Sequence, residues 1–384
     1  MIRLAFLIAC CWFSLSCTSR ELQPEETAWV SIHVSETVSN QEEPLIRQAI
    51  QLWERYLNER VIRLQTEACW SAAERKKYAV PDQLIIAKIR SYDPELSKVK
   101  PTLVSARRME DSLVVLKTFF AQTDSNRYAT PVILLNAHVR PEGDSLRLFR
   151  PLEWNTRHWL QRKVGDITYQ YKPEHSFNDS LAQALDGFSR QLSDRFHVGP
   201  LAFDYYLYDS TEELFRMNGF DYEPLMFTEE QTGGMAETYN GILHAANGAE
   251  WYPHEVVHLY ARDAYPERHY WLEEGLATYL GGSVGQPLEW HLKRIARHLD
   301  AHPELPWGRP WELTKMDDTT DLRYAIAGLF MKLADEKEGQ QGIDHLMLQS
   351  GRDDGRSYQV LEAYFDTGPE GLGHFIQQKL GAYR

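Results

Sequence analysis

The segment YPHEVVHLY, residues 252–260, places chemically competent side chains at a spacing that suits a metal centre. His254 and His258 are four positions apart, and Glu255 directly follows the first of them. Pro253 suits the first turn of a helix, where its missing N–H needs no partner. In such a helix both imidazoles share one face and can bind one zinc ion. The sequence therefore predicts a zinc ion on His254 and His258, with Glu255 acting as general base on a zinc-bound water.

The continuation of this motif narrows the class of site. HExxH alone arises by chance in long chains, so the position of a third ligand decides its meaning. The metzincin pattern requires glycine at position 261 and histidine at position 264. This chain has Ala261 and Ala264 instead, which excludes the metzincins. A third ligand must therefore come from another part of the chain.

A second motif, YWLEEGLATYLGG at residues 270–282, follows the histidines. Together with HExxH it resembles the gluzincin metallopeptidases, and among them the peptidase MA-like and aminopeptidase-N-like proteins, which carry W-L-x-E-G-x-A after HExxH. The resemblance implies that Glu274, directly before Gly275, is the third zinc ligand. Glu273 should point about 100° around the helix and suits this role less well. The gap from His258 to Glu274 is shorter than in aminopeptidase N, so the connecting loop must be tighter.

The segment GGMAETYNGILHA, residues 233–245, precedes the HExxH helix. Zincins have an edge strand there that pairs with the substrate backbone by strand addition. GGMAE also resembles the aminopeptidase G-x-M-E-N motif, which implies substrate contacts from Gly234, Met235 and Glu237. The glutamate stands one place late in this chain, and a slip of one residue in a strand reverses the face on which a side chain lies. Recognition of a substrate amino terminus is therefore left open.

Four further residues have a functional and a structural interpretation. RYAIAGLF, residues 323–330, resembles the gluzincin helix whose tyrosine hydroxyl steadies the oxyanion, which makes Tyr324 a catalytic candidate. The alternative for Tyr324 is an aromatic residue on a helix face. Thr278 stands where thermolysin relatives place an aspartate that orients a ligand histidine, and it could accept the same hydrogen bond. We expect His244 and His269 to be strand or loop histidines rather than ligands.

The N-terminus has the pattern of an export signal. One basic residue, Arg3, precedes an apolar run that is too short to span a bilayer, which predicts a signal peptide over residues 1–16. SLSC resembles a bacterial lipobox, and this implies cleavage before Cys17, attachment of lipid to it and a tether over residues 17–29. The alternatives are a lipobox that ends at Cys10, and secretion without lipid. The resulting protein would be a membrane-anchored lipoprotein of the cell envelope, on its periplasmic or outer-membrane face.

Composition excludes some classes of partner. The formal net charge of -14 argues against a nucleic-acid-binding protein, because such proteins need basic patches for phosphate. Of the four cysteines only Cys17 and Cys69 would remain after processing, so no internal disulfide is expected. We expect Cys69 to be a small core residue.

The length of 384 residues suggests roughly two domains. Residues 30–173 begin with an amphipathic helix and continue with alternating strands, which predicts an α+β domain with an antiparallel meander. This order resembles nuclear-transport-factor-2-like (NTF2-like) domains. The run YKPEHSFND, residues 171–179, indicates the domain boundary. Residues 174–384 read as a mostly helical, thermolysin-like zincin domain, so the fold class is α+β.

The predicted function is that of a zinc-dependent peptidase, which hydrolyses peptide bonds in a peptide or protein substrate at the bacterial cell envelope. One alternative is a catalytically inactive zincin-like lipoprotein that serves as a binding or assembly module. Another is a structural zinc site that a fourth protein ligand closes.

Overall fold

The computed structural model describes residues 31–63, 68–92, 99–126, 128–228, 231–368 and 371–384. The expected signal peptide, Cys17 and the whole of the predicted tether lie outside the described residues. The chain divides into two compact units. The first comprises residues up to His158 together with Glu212–Phe227, and the second comprises Trp159–Thr211 and Thr228–Arg384.

The first unit begins with helices and continues with a sheet. Its elements, in chain order, are β1 (His33–Val34), α1 (Pro44–Arg63), α2 (Ala72–Lys77), α3 (Gln83–Tyr92), β2 (Val99–Arg108), β3 (Val114–Thr123), β4 (Ala129–Glu142), β5 (Ser145–Phe149) and α4 (Pro151–Asn155). Strands β2 to β5 form an antiparallel meander, as the alternating pattern predicts, and β1 joins β2 in parallel.

One face of this sheet packs on α1. Alternate residues of β3 are buried, among them Leu116, Thr118 and Phe120. Trp53 on α1 is 1% exposed, and its Nε1 donates a hydrogen bond to Oγ1 of Thr118 at 3.0 Å. This bond satisfies two polar atoms that would otherwise be buried without a partner. Cys69 is a fully buried core residue, as expected.

The second unit begins one hairpin earlier than the sequence suggests. Its first elements are β6 (Leu160–Val164), β7 (Ile167–Tyr171), α5 (Asp179–Phe196) and β8 (Phe203–Leu207). Strand β7 pairs in parallel with β8, so it belongs to the second sheet. The structure therefore divides the chain between His158 and Trp159 rather than at the predicted 173–174 boundary, because residues 171–179 connect β7 to α5 inside one unit.

A short excursion then returns the chain to the first unit. Helix α6 (Thr211–Met217) leads into β9 (Phe220–Tyr222), which pairs antiparallel with β4 and so adds a strand to the first sheet. The sequence pattern carries no sign that β9 pairs with β4, which lies far earlier in the chain.

The second sheet then gains β10 (Gly233–Glu237) and β11 (Ile242–Ala246), giving the order β10-β11-β8-β7-β6. The three inner strands are parallel, and the two outer strands are antiparallel to their neighbours. The remaining helices are α7 (Pro253–Ala264), α8 (Tyr270–Gly281), α9 (Leu288–Ala301), α10 (Leu322–Glu338), α11 (Gln340–Ser350), α12 (Asp354–Phe365) and α13 (Gly371–Leu380). The coarse prediction of a mixed helix-and-sheet protein with a helical C-terminal part is confirmed.

Candidate metal centre

Helix α7 carries both histidines of the HExxH motif on one face. It begins at Pro253, as predicted, with Tyr252 as the residue before its first turn. Because one turn separates His254 from His258, their rings point the same way, and their Nε2 atoms lie 3.3 Å apart. The motif therefore forms the helical pair of imidazoles that its spacing predicts.

Helix α8 brings the third side chain. Oε2 of Glu274 lies 3.4 Å from Nε2 of His254 and 3.8 Å from Nε2 of His258. Within the described part of the chain, the cluster of possible metal-binding groups comprises these three residues, with donor atoms no more than 4.8 Å apart. The structure thus brings together the three side chains that the sequence assigned to the metal.

These separations fit a zinc ion. Bonds of about 2.0–2.1 Å at tetrahedral angles put two ligand atoms roughly 3.3 Å apart. Two of the three separations are 3.3 and 3.4 Å, and the third, 3.8 Å, closes with a small side-chain shift. Two neutral nitrogens and one carboxylate oxygen are also a donor set that zinc accepts, with a fourth position left for solvent or substrate.

The other nitrogen of each ring is hydrogen-bonded. Nδ1 of His254 donates to the carbonyl oxygen of Gly282 at 2.6 Å, and Nδ1 of His258 donates to Oε1 of Glu273 at 3.0 Å. The second oxygen of Glu273 forms an ion pair with Nε of Arg268 at 2.6 Å. Such partners fix the ring and put the lone pair on Nε2, the atom that faces Glu274.

Glu273 therefore has the orienting role that the sequence considered for Thr278. Oγ1 of Thr278 is buried and has no hydrogen-bond partner among the described residues, so the threonine does not contact either histidine ring here. The two adjacent glutamates of the EEG segment have different contacts. Glu274 faces the Nε2 atoms of both histidines, and Glu273 faces Nδ1 of His258. The sequence shows that Glu273 is next to the predicted ligand Glu274. Only the position of α7 shows that Glu273 contacts the ring of His258.

When no metal is bound, the charged side chains of the cluster shift one another's pKa values. Burial alone would lower the pKa of His258, but the carboxylates of Glu274, Glu273 and Glu255 outweigh it and raise that pKa to about 9. Burial would raise the pKa of Glu273, but Arg268 and His258 hold it at about 2. For Glu274 the two histidines likewise prevail over burial and lower the pKa. The carboxylates near the histidines are thus held ionised, as a divalent cation requires.

Glu255 occupies a different environment. Its side chain is buried, and burial raises its pKa, although the two histidines and the backbone N–H of Ala236 oppose the shift. The hydrogen bond from Ala236 connects the carboxylate to strand β10. A carboxylate whose pKa is raised holds a proton more readily than an exposed one, which suits a group that must take up a proton and release it.

Gly234 also lies against Glu255. A Cβ atom at this position would meet two ring atoms of Tyr252 at 2.6 and 2.9 Å and Cγ of Glu255 at 3.0 Å. Strand β10 is an edge strand in the described sheet. The face that carries Gly234 and Ala236 therefore borders Glu255, and pairing of this strand with a substrate stays a prediction.

Glu237 lies on the opposite face of β10. It is 1% exposed, and Oε1 is 2.9 Å from Nε2 of His244, whose Nδ1 is 2.9 Å from the hydroxyl of Tyr208. Nδ2 of Asn240 donates to the other carboxylate oxygen at 2.6 Å. The one-residue offset thus places Glu237 on the face of β10 that lies away from Glu255, and its contact with a substrate stays a prediction. Met235 shares that face and is 8% exposed.

Three glycines let the helices approach each other closely. A Cβ at Gly275 would lie 2.4 Å from Cβ of Ala327 on α10, and one at Gly281 would lie 2.6 Å from the backbone nitrogen of His254. A Cβ at Gly328 would meet Leu288 at 2.8 Å. The glycine after Glu274 therefore has a packing reason, since any larger residue would move α8 and its two glutamates.

Tyr324 is in the first turn of α10, and its hydroxyl is 2.8 Å from that of Tyr270. Tyr270 is four residues before Glu274, so the two share a face of α8. The indole nitrogen of Trp271 donates to the carbonyl oxygen of Arg323 at 2.7 Å, which ties the start of α10 to α8. The structure therefore brings Tyr324 to the helix that carries Glu274, through Tyr270.

His269, which was expected to be structural, precedes α8. Its Nδ1 accepts a hydrogen bond from the backbone of Trp271 at 3.2 Å, and its Nε2 lies 2.7 Å from Asp354. It caps the helix that carries Glu274.

A cavity of about 610 Å³ adjoins His254. Aromatic and aliphatic side chains dominate its wall, including Phe188, Trp251, Tyr252 and Leu288. Residues 281–286 also line it. Its volume is within the usual range of ligand sites, and its walls suit a large apolar group.

Comparison with known proteins adds no assignment: no family model matches the chain, and no curated protein matches it. Among the described helices none is long and apolar enough to cross a membrane.

Proposed function

We propose that this protein is a zinc-dependent peptidase of the gluzincin type that hydrolyses peptide bonds at the bacterial cell envelope. One observation carries the proposal. Nε2 of His254, Nε2 of His258 and Oε2 of Glu274 converge within 3.8 Å, with the buried carboxyl of Glu255 beside them. A closed structural site is less well supported, because the described cluster holds three side chains rather than four.

His254, His258 and Glu274 would hold the zinc ion. When bound, zinc supplies Lewis acidity, which polarises a carbonyl group and makes water more acidic. Glu255 takes a proton from the attacking water and then delivers it to the leaving amine, a double role that its raised pKa suits. The Tyr324 hydroxyl, oriented by Tyr270, would donate to the oxygen that becomes negative during attack.

The buried position of Glu237 supports cleavage inside a peptide rather than at its amino terminus. An aminopeptidase needs a carboxylate that faces the substrate's ammonium group, and Glu237 instead contacts His244 and Asn240. An N-acetylated peptide should then be cut as well as one with a free amino terminus. The cavity beside His254 would accept a large apolar side chain of the substrate.

The proposal also includes a fold for each of the two units. The second unit combines an edge strand, the HExxH helix and the glutamate helix in the order that a thermolysin-like zincin has, which supports that fold for it. In the first unit, helices precede an antiparallel meander, as in NTF2-like domains. The lipobox-like SLSC supports a lipid on Cys17 and attachment to the membrane.

The test measures zinc per chain and cleavage of a mixed library of quenched fluorescent peptides. The wild type should bind about one zinc ion and cut peptides, and His258→Ala should lose both. Glu255→Gln should keep the metal and lose activity by at least about a hundredfold. The matched control is Glu267→Gln, since Glu267 is exposed and outside the cluster.

Two results would contradict the proposal. Failure of the wild type to take up zinc after reconstitution would remove the metal centre. Zinc uptake without cleavage of any peptide, and a cellular phenotype that Glu255→Gln leaves intact, would instead support the binding-module alternative.

A further inference from the structure

The first unit contains a second cavity, of about 330 Å³, which the metal centre does not use. It lies on the face of the first sheet that points away from α1. The buried face of β3 carries Leu116 and Thr118, whereas the cavity is lined by the intervening residues Val115 and Lys117. Strand alternation explains why one sheet has an apolar face for packing and a polar face for a cavity.

The charge of this cavity is opposite to that of the chain. Its lining contains three cationic side chains, Arg107, Lys117 and Arg216, and one anionic side chain, Asp221, an excess of two positive charges (3 − 1). Glu212, which is outside the lining, pairs with Arg216 and reduces this excess to one. The whole chain has a formal net charge of -14. Positive charge gathered at one concave site of an acidic protein attracts anions.

The cations differ in their partners. Lys117 forms an ion pair with Asp221 at 2.6 Å, and Arg216 forms one with Glu212 at 2.7 Å. Arg107 is exposed and has no carboxylate partner among the described residues. Its guanidinium, with several N–H donors in one plane, is therefore the group best placed to bind an incoming anion.

Polar residues of the lining are held by hydrogen bonds. Nδ2 and the backbone nitrogen of Asn136 both donate to the carbonyl oxygen of Gly219, at 3.2 and 2.7 Å, and Nδ2 of Asn155 donates to that of Met217 at 3.0 Å. His138 is 5% exposed, and burial together with Arg140 lowers its pKa to about 4. At pH 7 this imidazole is neutral and can donate one hydrogen bond.

The remaining wall is apolar. Trp154, Val115, Met109 and Met217 contribute hydrophobic surface to the lining. The guanidinium of Arg140 lies 4.3 Å from the ring of Trp154, which holds the indole in place. A ligand that fills this cavity would therefore meet both cationic and apolar side chains.

We infer that this cavity binds a small organic anion, a carboxylate or phosphate head group carried on an apolar body. The volume is within the range of small-molecule sites. Cations are disfavoured by Arg107, Lys117 and Arg216, and a simple inorganic anion would leave the apolar wall uncovered. The site lies wholly in the first unit, so the inference does not depend on the peptidase proposal.

Isothermal titration calorimetry of the full chain with four probes tests the inference. The probes are 4-phenylbutyrate, phenyl phosphate, the neutral 4-phenylbutanamide and acetate. All titrations contain a chelator, so that a carboxylate cannot register by binding metal at His254 and His258. We expect one or both of the aromatic anions to bind, and the amide and acetate to bind roughly tenfold more weakly or not at all. Preference between the two anions identifies the head group.

A matched pair of variants localises the binding. Arg107→Gln should weaken the better anion roughly tenfold, since it removes the charge without breaking an ion pair. Arg108→Gln changes the next residue of the same strand, which is equally exposed but outside the lining, and should leave binding unchanged. Both residues are on the surface, so neither change should impair folding.

Four results would overturn the inference. The first three are no binding of either aromatic anion, equal binding of the neutral amide, and equal affinity in Arg107→Gln and the wild type. Acetate binding as tightly as 4-phenylbutyrate would reduce the site to a charged patch without a ligand cavity, and would overturn it as well.

Discussion

Glu273 accepts a hydrogen bond from Nδ1 of His258 at 3.0 Å, while its neighbour Glu274 faces Nε2 of the same ring at 3.8 Å. Two consecutive glutamates thus approach one imidazole from its two nitrogens. Arg268 completes the arrangement with an ion pair to Glu273 at 2.6 Å. The ion pair of Glu273 and Arg268 therefore contacts the proposed ligand His258 at Nδ1, the nitrogen that faces away from Glu274.

Glu273→Gln should weaken zinc binding by about 10- to 100-fold, because it weakens the hydrogen bond that orients His258 and leaves Arg268 without a carboxylate. Competition with a fluorescent chelator measures the affinity. Glu267→Gln, at an exposed site, serves as control. Unchanged affinity in Glu273→Gln would show that the contact does not support the metal centre.

Gly234→Ala should reduce kcat/KM at least about tenfold while zinc content stays the same. The added methyl meets Tyr252 at 2.6 Å and Glu255 at 3.0 Å, so either the strand or the carboxylate must move. Gly233→Ala is the matched control, since its methyl meets a single side-chain atom, Cγ2 of Thr211, at 3.2 Å. Steady-state kinetics on one peptide compares the two variants. Equal losses in both would assign the effect to the strand in general.

Gly275→Ala should destabilise the protein by about 1–3 kcal/mol, as overpacking does in close-packed cores. The methyl would lie 2.4 Å from Cβ of Ala327, so α8 and α10 must separate. Gly187→Ala, in α5, has open space around the new methyl and should be neutral or stabilise by up to about 1 kcal/mol. Urea unfolding measures both. A stable Gly275→Ala protein would contradict the packing role of this glycine.

Tyr324→Phe should lower kcat by about 10²-fold with little change in KM, because the hydroxyl would act only on the developing oxyanion. Tyr270→Phe should have a smaller effect, since Tyr270 orients Tyr324 through the 2.8 Å hydrogen bond between their hydroxyls. Zinc content, measured in parallel, should not change in either variant. If both variants keep full kcat, Tyr324 is an aromatic residue on a helix face.

The buried carboxyl group of Glu74 should make the stability of the first unit depend on pH. Burial raises its pKa from 4.5 to about 7, despite the opposing effect of Arg150. The folded state thus holds a proton that the unfolded state releases above pH 4.5, so the stabilising contribution is full below pH 4.5 and is lost as the pH rises through 7. The loss amounts to at most roughly 3 kcal/mol.

Glu74→Gln should remove this dependence, so that the variant gains stability relative to the wild type between pH 5 and pH 8. Urea unfolding at several pH values measures the difference. Glu110→Gln, at an exposed position, is the control and should follow the wild type. A wild-type stability that rises with pH over this interval, with Glu74→Gln parallel to it, would contradict the assignment.

The local geometry of the proposed site could be predicted from the sequence. Four-residue spacing puts His254 and His258 on one helix face whatever surrounds the helix, because helical periodicity is a backbone property. The glutamate before Gly275 came from a resemblance between motifs, and the structure brings it within 3.4 Å of His254. The antiparallel meander of the first unit followed from alternating apolar residues and turn signals.

The tertiary structure decided what depends on long-range contacts. One amino-acid sequence does not reveal that β9 pairs with β4, or that β7 belongs to the second sheet, because strand pairing depends on segments that are distant in the chain. The turning of Glu237 towards His244 depends on strand register, which shifts every face by one residue. The separate roles of Glu273 and Glu274 depend on where α7 lies against α8. Spacing along the chain fixed which side chains share a face, and packing fixed what that face meets.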